Sequence, residues 1–403
     1  MLIDNTATER ASASPTISNV LVNPPTGVTR PSPLAIPELQ GLRAAGCCLV
    51  FLAHVSVIIY PERFMRSIDV PAGELFARAV IGFFILSGLV LSLPYVGEEK
   101  QSFSPLRFYF QRLLRLYPAY LVSVLFALVI RFGIKHWVGL SSVSPWAQRF
   151  WGEPVTAASL LQHLLPIAVH TRNINPVYWT LSLEIQACLL FPLIVILVRH
   201  TRHWSLSFVP VIFLTALSHF FPFVPLIRIC SYFLMGAYIA KYNVRLNSML
   251  RALPYGSIVG LSILIITFFW AAPQNRTAYR LSFLVLDGLL AILMVAVQSF
   301  RPLAGLANVR PIQRFAELSY CFYLVHLPIL AACAFTLRPI TQSAPLTILA
   351  ALSISLMVAY ALHRYVEQPV RAFAKSRTLF YRAAPPAIPE AVIEMSAATK
   401  FGH

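Results

Sequence analysis

Long apolar runs, each ended by a short polar connection, set the pattern of this chain. Ten stretches approach or exceed the roughly 18 mostly apolar residues that cross a bilayer as a helix. They lie at about 42–60, 79–97, 116–134, 177–198, 206–220, 226–240, 255–272, 280–299, 317–337 and 345–364. The fifth and sixth are short and flank the Pro-containing run Phe220-Phe-Pro-Phe-Val-Pro225, so a re-entrant pair is the alternative there. A transmembrane barrel would need alternating strands of about ten residues, and none are present. The pattern predicts an all-α polytopic membrane protein, about ten transmembrane helices in one bundle over residues 38–375. The Pro-, Ser- and Thr-rich residues 1–37 read as a disordered tail with no signal-peptide core, and residues 376–403 as a second tail.

Composition narrows the class. The chain is 58% hydrophobic and only 12% charged, about half the charged fraction of a soluble domain. The net charge of +17 resolves into short basic connections: Arg107 to Arg115, Arg199 to Arg202, Lys241 to Arg251, and Arg301 to Arg314. With both termini cytoplasmic, all four fall on the inner side. Charge divided in this way reports topology and excludes a nucleic-acid partner. The six cysteines sit in apolar segments without CxxC or Cys/His spacing, which predicts packing residues and no metal site. No internal repeat of the transporter kind is visible.

Ionisable groups inside such spans are costly and are functional candidates by default. Arg43 and His54 are eleven residues apart in the first span, so they return to within about 20° of one helix face, about 16 Å apart along the axis. In this topology His54 lies about 12 Å below the outer edge of the hydrocarbon core. Glu184 in the fourth span, Asp287 in the eighth, and Phe84 to Gly88 in the second come out at similar depth. An imidazole near a carboxylate is a simple general base, suited to acyl transfer to an alcohol; a hydrogen bond within the bundle is the competing reading. Arg112 and Arg115, three apart, share a helix face and match phosphate geometry, though they also suit plain positive-inside anchoring. Ser87 and Gly88 could let helices approach closely or make room for a thin acyl chain. Tyr320, Tyr323 and His326 suit packing or lining, and Glu367 is expected to pair with an Arg and end its helix.

Taken in order, several segments resemble the membrane-bound acyltransferase 3 family of carbohydrate O-acyltransferases. The Arg43-to-His54 spacing after Leu39-Gln-Gly-Leu is similar to the family's first-span pattern. Phe83-Phe-Ile-Leu-Ser-Gly88, Arg112-Leu-Leu-Arg-Leu-Tyr-Pro118 and Trp179-Thr-Leu-Ser-Leu-Glu184 resemble its next three motifs. Leu318-Ser-Tyr-Cys-Phe-Tyr-Leu-Val-His326 and Glu367-Gln-Pro-Val-Arg371 resemble its closing segments. Where many members carry an acidic residue before the second-span Phe-Phe, this chain reads Arg78-Ala-Val-Ile-Gly82, and Ala44 stands in place of a glycine.

The resemblance implies an integral inner-membrane transferase. It would move a small acyl group, acetyl first among them, from acyl-CoA (acetyl-CoA) to a hydroxyl on a carbohydrate or lipid-linked glycan. Carried over by position, His54 is the base and Glu184 its partner. Arg43, Arg112 and Arg115 are donor contacts, and Phe84, Ser87, Asp287 and His326 further substrate contacts. No permanently bound cofactor is expected. The rival is a carrier that moves an acyl donor or glycan without chemistry.

Overall fold

The apolar runs become helices, and proline sets where several of them begin. Pro37, Pro105, Pro225, Pro302, Pro311 and Pro345 each occupy a first turn, where the missing N–H has no intrahelical partner to lose. In the computed structural model, residues 36–60, 71–97, 101–138, 148, 151–165, 173–221, 224–254, 257, 260 and 276–379 are described. They all belong to one compact unit. Most of the two expected tails and of the expected 255–272 span lies outside these residues; Pro37 already belongs to a helix, and the last helix runs on to Leu379.

The helices are α1 (Pro37–Ile59), α2 (Pro71–Val96), α3 (Pro105–Trp137), α4 (Ala157–Leu164), α5 (Tyr178–His200), α6 (Phe208–Phe220), α7 (Pro225–Lys241), α8 (Asn243–Arg251), α9 (Arg276–Ser299), α10 (Arg301–Ala307), α11 (Arg310–Thr341), α12 (Ala344–Leu362) and α13 (Gln368–Leu379). No strand occurs among the described residues. Among the described residues, six helical segments are long and apolar enough to cross a membrane: α1, the part of α2 from Arg78, α3, α5, α11, and α12 with its continuation. A seventh is added if α9 and α10, bent by 89° at their junction, count as one span. The fifth and sixth expected spans form helices of 13 and 17 residues that pack on each other. Among the candidate spans, outward-facing Leu125, Val129, Leu193, Ile196, Leu349 and Met357 are exposed, as lipid contact requires.

Two expectations are revised. The basic stretch Arg107 to Arg115 is the first part of the 33-residue α3 and no loop. Glu367 does pair with an arginine, Arg371 at 3.1 Å, yet the chain stays helical past it. A π turn over His363–Glu367 shifts the bonding register, so that the Gln368 N–H reaches the His363 carbonyl. This adjustment accommodates Pro369, which has no N–H to offer.

Two apolar clusters fill the bundle. One joins α1, α3, α11 and α12, with Phe51, Tyr120, Phe322 and Leu330 inside it. The other joins α2, α5 and α7, with Ile85, Leu89, Phe191 and Phe233 inside it. The most extensive helix pair, α2 with α7, depends on two glycines. A methyl group on Gly88 would collide with the Phe233 backbone, and one on Gly236 with the Ile85 carbonyl. Small residues let backbones approach in this way when lipid offers no hydrophobic drive between helices.

The same α2–α7–α9 region buries an ion pair. The Arg78 guanidinium bonds to Asp287 Oδ1, and Tyr232 OH donates to Asp287 Oδ2 at 2.7 Å. Both charged residues are 7% exposed.

Two stability predictions follow from these contacts. Gly236→Leu should destabilise the purified protein by about 3 kcal/mol or more through overpacking. Gly133→Ala in α3, with nothing within 4 Å of the added methyl, should leave stability unchanged or raise it by up to about 1 kcal/mol. Equal melting temperatures for Gly236→Leu and the parent would refute the close-approach reading. Arg78→Leu should cost about 3–5 kcal/mol by stranding a buried carboxylate, and adding Asp287→Leu should recover most of it. A double variant no better than the single one would contradict the pairing.

Candidate active site

Five helices meet around one cavity at the seam between the two apolar clusters. Its volume is about 910 Å³, the open mouth included. α1 contributes Arg43, α2 contributes Phe83, Phe84 and Ser87, and α3 contributes Arg112, Arg115 and Leu116. Thr180, Leu181 and Glu184 come from α5, and Ser319, Tyr320, Tyr323 and Leu324 from α11. Arg43, Arg112 and Arg115 stand in the first half of α1 and α3. Thr180 stands in the first turn of α5 and Tyr323 near the middle of α11, the Thr180 hydroxyl 2.6 Å from the Tyr323 hydroxyl.

The charges are unequal. Three guanidinium groups and one carboxylate line the cavity, a formal excess of two positive charges. Arg43 and Arg115 also feel Arg371 and Glu367, so a fourth arginine adds to the mutual repulsion and a second carboxylate offsets part of it. Arg43 holds Gln40 Oε1 at 2.8 Å. Arg112 keeps a buried Nε without a hydrogen-bond partner among the described residues. Such unbalanced positive charge in a low-dielectric wall favours an anion, and the arginine fork matches phosphate oxygens.

Glu184 lines the cavity, and Ser87 donates to its Oε1 at 3.2 Å. Phe84 lines it too, and its ring lies 6.3 Å from that of Phe233. The second-span motif thus divides its work: Ser87 faces the hollow and Gly88 packs on α7. Neither His54 nor His326 is among the described residues lining the cavity; His54 packs against α11 through His326. Its Nδ1 is 2.9 Å from the Val50 carbonyl and 3.2 Å from His326 Nε2. His326, three residues past the cavity-lining Tyr323, has its ring centroid 5.7 Å from that tyrosine's. The hydrogen bonds described at the two residues expected to pair therefore run elsewhere, from His54 to Val50 and His326, and from Glu184 to Ser87. Asp287 belongs to the Arg78–Tyr232 cluster and is not among the described residues lining the cavity.

Sequence reasoning did not foresee three features. Thr180 lies inside the recognised Trp179-to-Glu184 segment, but only its partner Tyr323 marks it as a wall residue. Arg78 is the partner of Asp287. The third is the buried group Cys321, His363 and Glu367, whose donor atoms lie within 4.8 Å of one another. There the Cys321 thiol donates to Glu367 Oε2 at 3.2 Å, and His363 Nδ1 is 2.7 Å from the same oxygen. Arg371 stands on that carboxylate, so the anion already has a cation, and the group reads as a lock on the π turn.

A family profile described as an acyltransferase domain matches residues 36–364. The O-acetyltransferase OatA of Staphylococcus aureus is 24% identical over 347 residues, covering 74% of this chain and 51% of that protein. The chain thus spans about half the length of that relative. The acyltransferase MdmB of Streptomyces mycarofaciens is 25% identical over 399 residues, covering 90% of this chain and 98% of its own. No solved structure matches. With the profile running over most of its length and every helix that builds the cavity inside the match, the chain belongs to the membrane-bound acyltransferase 3 family.

Proposed function

We propose that this chain is a multi-pass O-acyltransferase of a bacterial inner (plasma) membrane. It moves a small acyl group, acetyl first among them, from acyl-CoA to a hydroxyl of a carbohydrate or lipid-linked glycan. In this reading ten spans cross the membrane and both termini are cytoplasmic. The observation that carries it is the cavity's charge: three arginines against one glutamate, with the His54–His326 pair close by. A neutral acyl donor would leave that positive charge without a counterion inside the bundle. A donor with several phosphates would supply one, with its thioester toward the Tyr323 end of the cavity.

The chemistry then follows from the residues. Arg43, Arg112 and Arg115 hold the donor phosphates beside the first halves of α1 and α3. His54 takes the proton of the acceptor hydroxyl as that oxygen attacks the thioester carbonyl. The new C–O ester bond forms, the C–S bond breaks, and the leaving thiolate collects the proton. Glu184 offsets the positive charge that builds up on the imidazole side of the cavity. Membrane lipid surrounds the bundle, and no resident cofactor is called for in these steps.

His54→Ala should lower transfer of labelled acetyl from acetyl-CoA by about 100-fold or more. Arg115→Ala should raise the KM for acetyl-CoA about tenfold with a smaller change in kcat. Transfer at the normal rate by His54→Ala would refute the base assignment, and an unchanged donor KM in Arg115→Ala would refute the donor site. Recovery of the acceptor with unchanged mass after donor turnover would favour a carrier instead.

A further inference from the structure

His326 was expected to touch substrate, yet its surroundings suit another task. It is 1% exposed. Its ring stacks on Phe322, 5.7 Å away at 6°, and meets Phe51 edge-on at 6.3 Å. Those two contacts fix the ring plane. Nδ1 then lies 2.8 Å from the Tyr323 carbonyl and 3.2 Å from the Phe322 carbonyl.

The hydrogen positions follow from these acceptors. A bare imidazole nitrogen facing two carbonyl oxygens would be repelled, so the His326 Nδ1 carries its proton. In the neutral ring Nε2 is then the acceptor, and it lies 3.2 Å from His54 Nδ1. That nitrogen of His54 also faces a carbonyl, Val50 at 2.9 Å, so it too carries a proton, shared between Val50 and His326. The Nε2 of His54 is left as its basic nitrogen.

We infer that His326 is a positioning residue for His54. Its Nε2 accepts the His54 Nδ1–H, fixes the tautomer in which Nε2 is the base, and stabilises the imidazolium formed when that atom takes the hydroxyl proton. A carboxylate performs this task in the Ser-His-Asp arrangement, by orienting the base and strengthening its bond as charge develops. Here a second imidazole does so, held by aromatic rings and by its own helix backbone. The inference rests on the base role proposed for His54, which the control below tests separately.

Two substitutions distinguish the nitrogens of His326. Gln extends an amide to about the position of Nε2, so His326→Gln can still accept from His54. Asn reaches only as far as Nδ1, so His326→Asn can keep the bond to the Tyr323 carbonyl but offers nothing to His54. The readout is acetyl transfer from labelled acetyl-CoA in membrane vesicles that carry the native acceptor, normalised to the amount of folded protein. His326→Asn is expected to lose about tenfold or more in maximal rate with the acetyl-CoA KM unchanged. His326→Gln is expected to keep more than a third of the parent rate. A purely structural role for the Nδ1 bond gives the opposite order.

His326→Asn at the parent rate, or His326→Gln no better than His326→Asn, would overturn the inference. If neither accumulates as folded protein, His326→Phe, which keeps a ring in place but offers no nitrogen, decides: loss of about tenfold or more in maximal rate supports the inference, and a fully active His326→Phe would overturn it. His54→Ala run alongside separates the two levels. If it stays active, the base role fails; if it is inactive while His326→Asn is not, only the positioning role fails.

Discussion

A charge inside hydrocarbon must find a partner within the protein, and this constraint orders the whole bundle. Lipid supplies no water to solvate a guanidinium or carboxylate, so each one is either paired or kept for a ligand. Arg78 with Asp287 and Tyr232 ties α2 to α7 and α9. Glu367 with Arg371, His363 and Cys321 ties the π turn to α11. Both clusters are closed accounts of charge. Around the cavity the balance is different, because three arginines face one glutamate. The positive excess is what distinguishes a site from a structural lock.

Packing makes that exception tenable. The two apolar clusters are centred on different helices, one on α1, α11 and α12, the other on α2 and α7, and share α1, α3 and α5. The hollow lies where they meet. Gly88 and Gly236 draw α2 and α7 into backbone contact, while Phe83, Phe84 and Ser87 from the neighbouring turn of α2 form a cavity wall. The same short motif therefore sets helix spacing and supplies site residues.

Much of the site was legible in the chain. Arg43, Phe84, Ser87, Arg112, Arg115 and Glu184 were singled out by charge, depth and motif, and all six line one cavity. Depth arithmetic placed the ionisable groups in a layer but could not say which faced which. Asp287, which that arithmetic puts in the layer of Glu184, turns to Arg78, because the rotation of α9 is set by packing that no spacing rule encodes. The same arithmetic puts His326 about 14 Å into its span, within about 4 Å of His54. The His54–His326 contact was thus within reach of the sequence, although a carboxylate is the commoner partner of a basic imidazole. Helix ends were legible where proline begins a first turn. The π turn at His363–Glu367 was not, since a register shift leaves no composition signature beyond Pro369 itself.

The most direct test of the anion-binding cavity is a cryo-EM map of the protein with a non-hydrolysable thioether analogue of acetyl-CoA. The expected density has its phosphates against Arg43, Arg112 and Arg115 and its carbonyl within about 4 Å of His54 or of a bound acceptor hydroxyl that His54 touches. Phosphates bound away from these three arginines, or a carbonyl more than about 8 Å from His54, would contradict it.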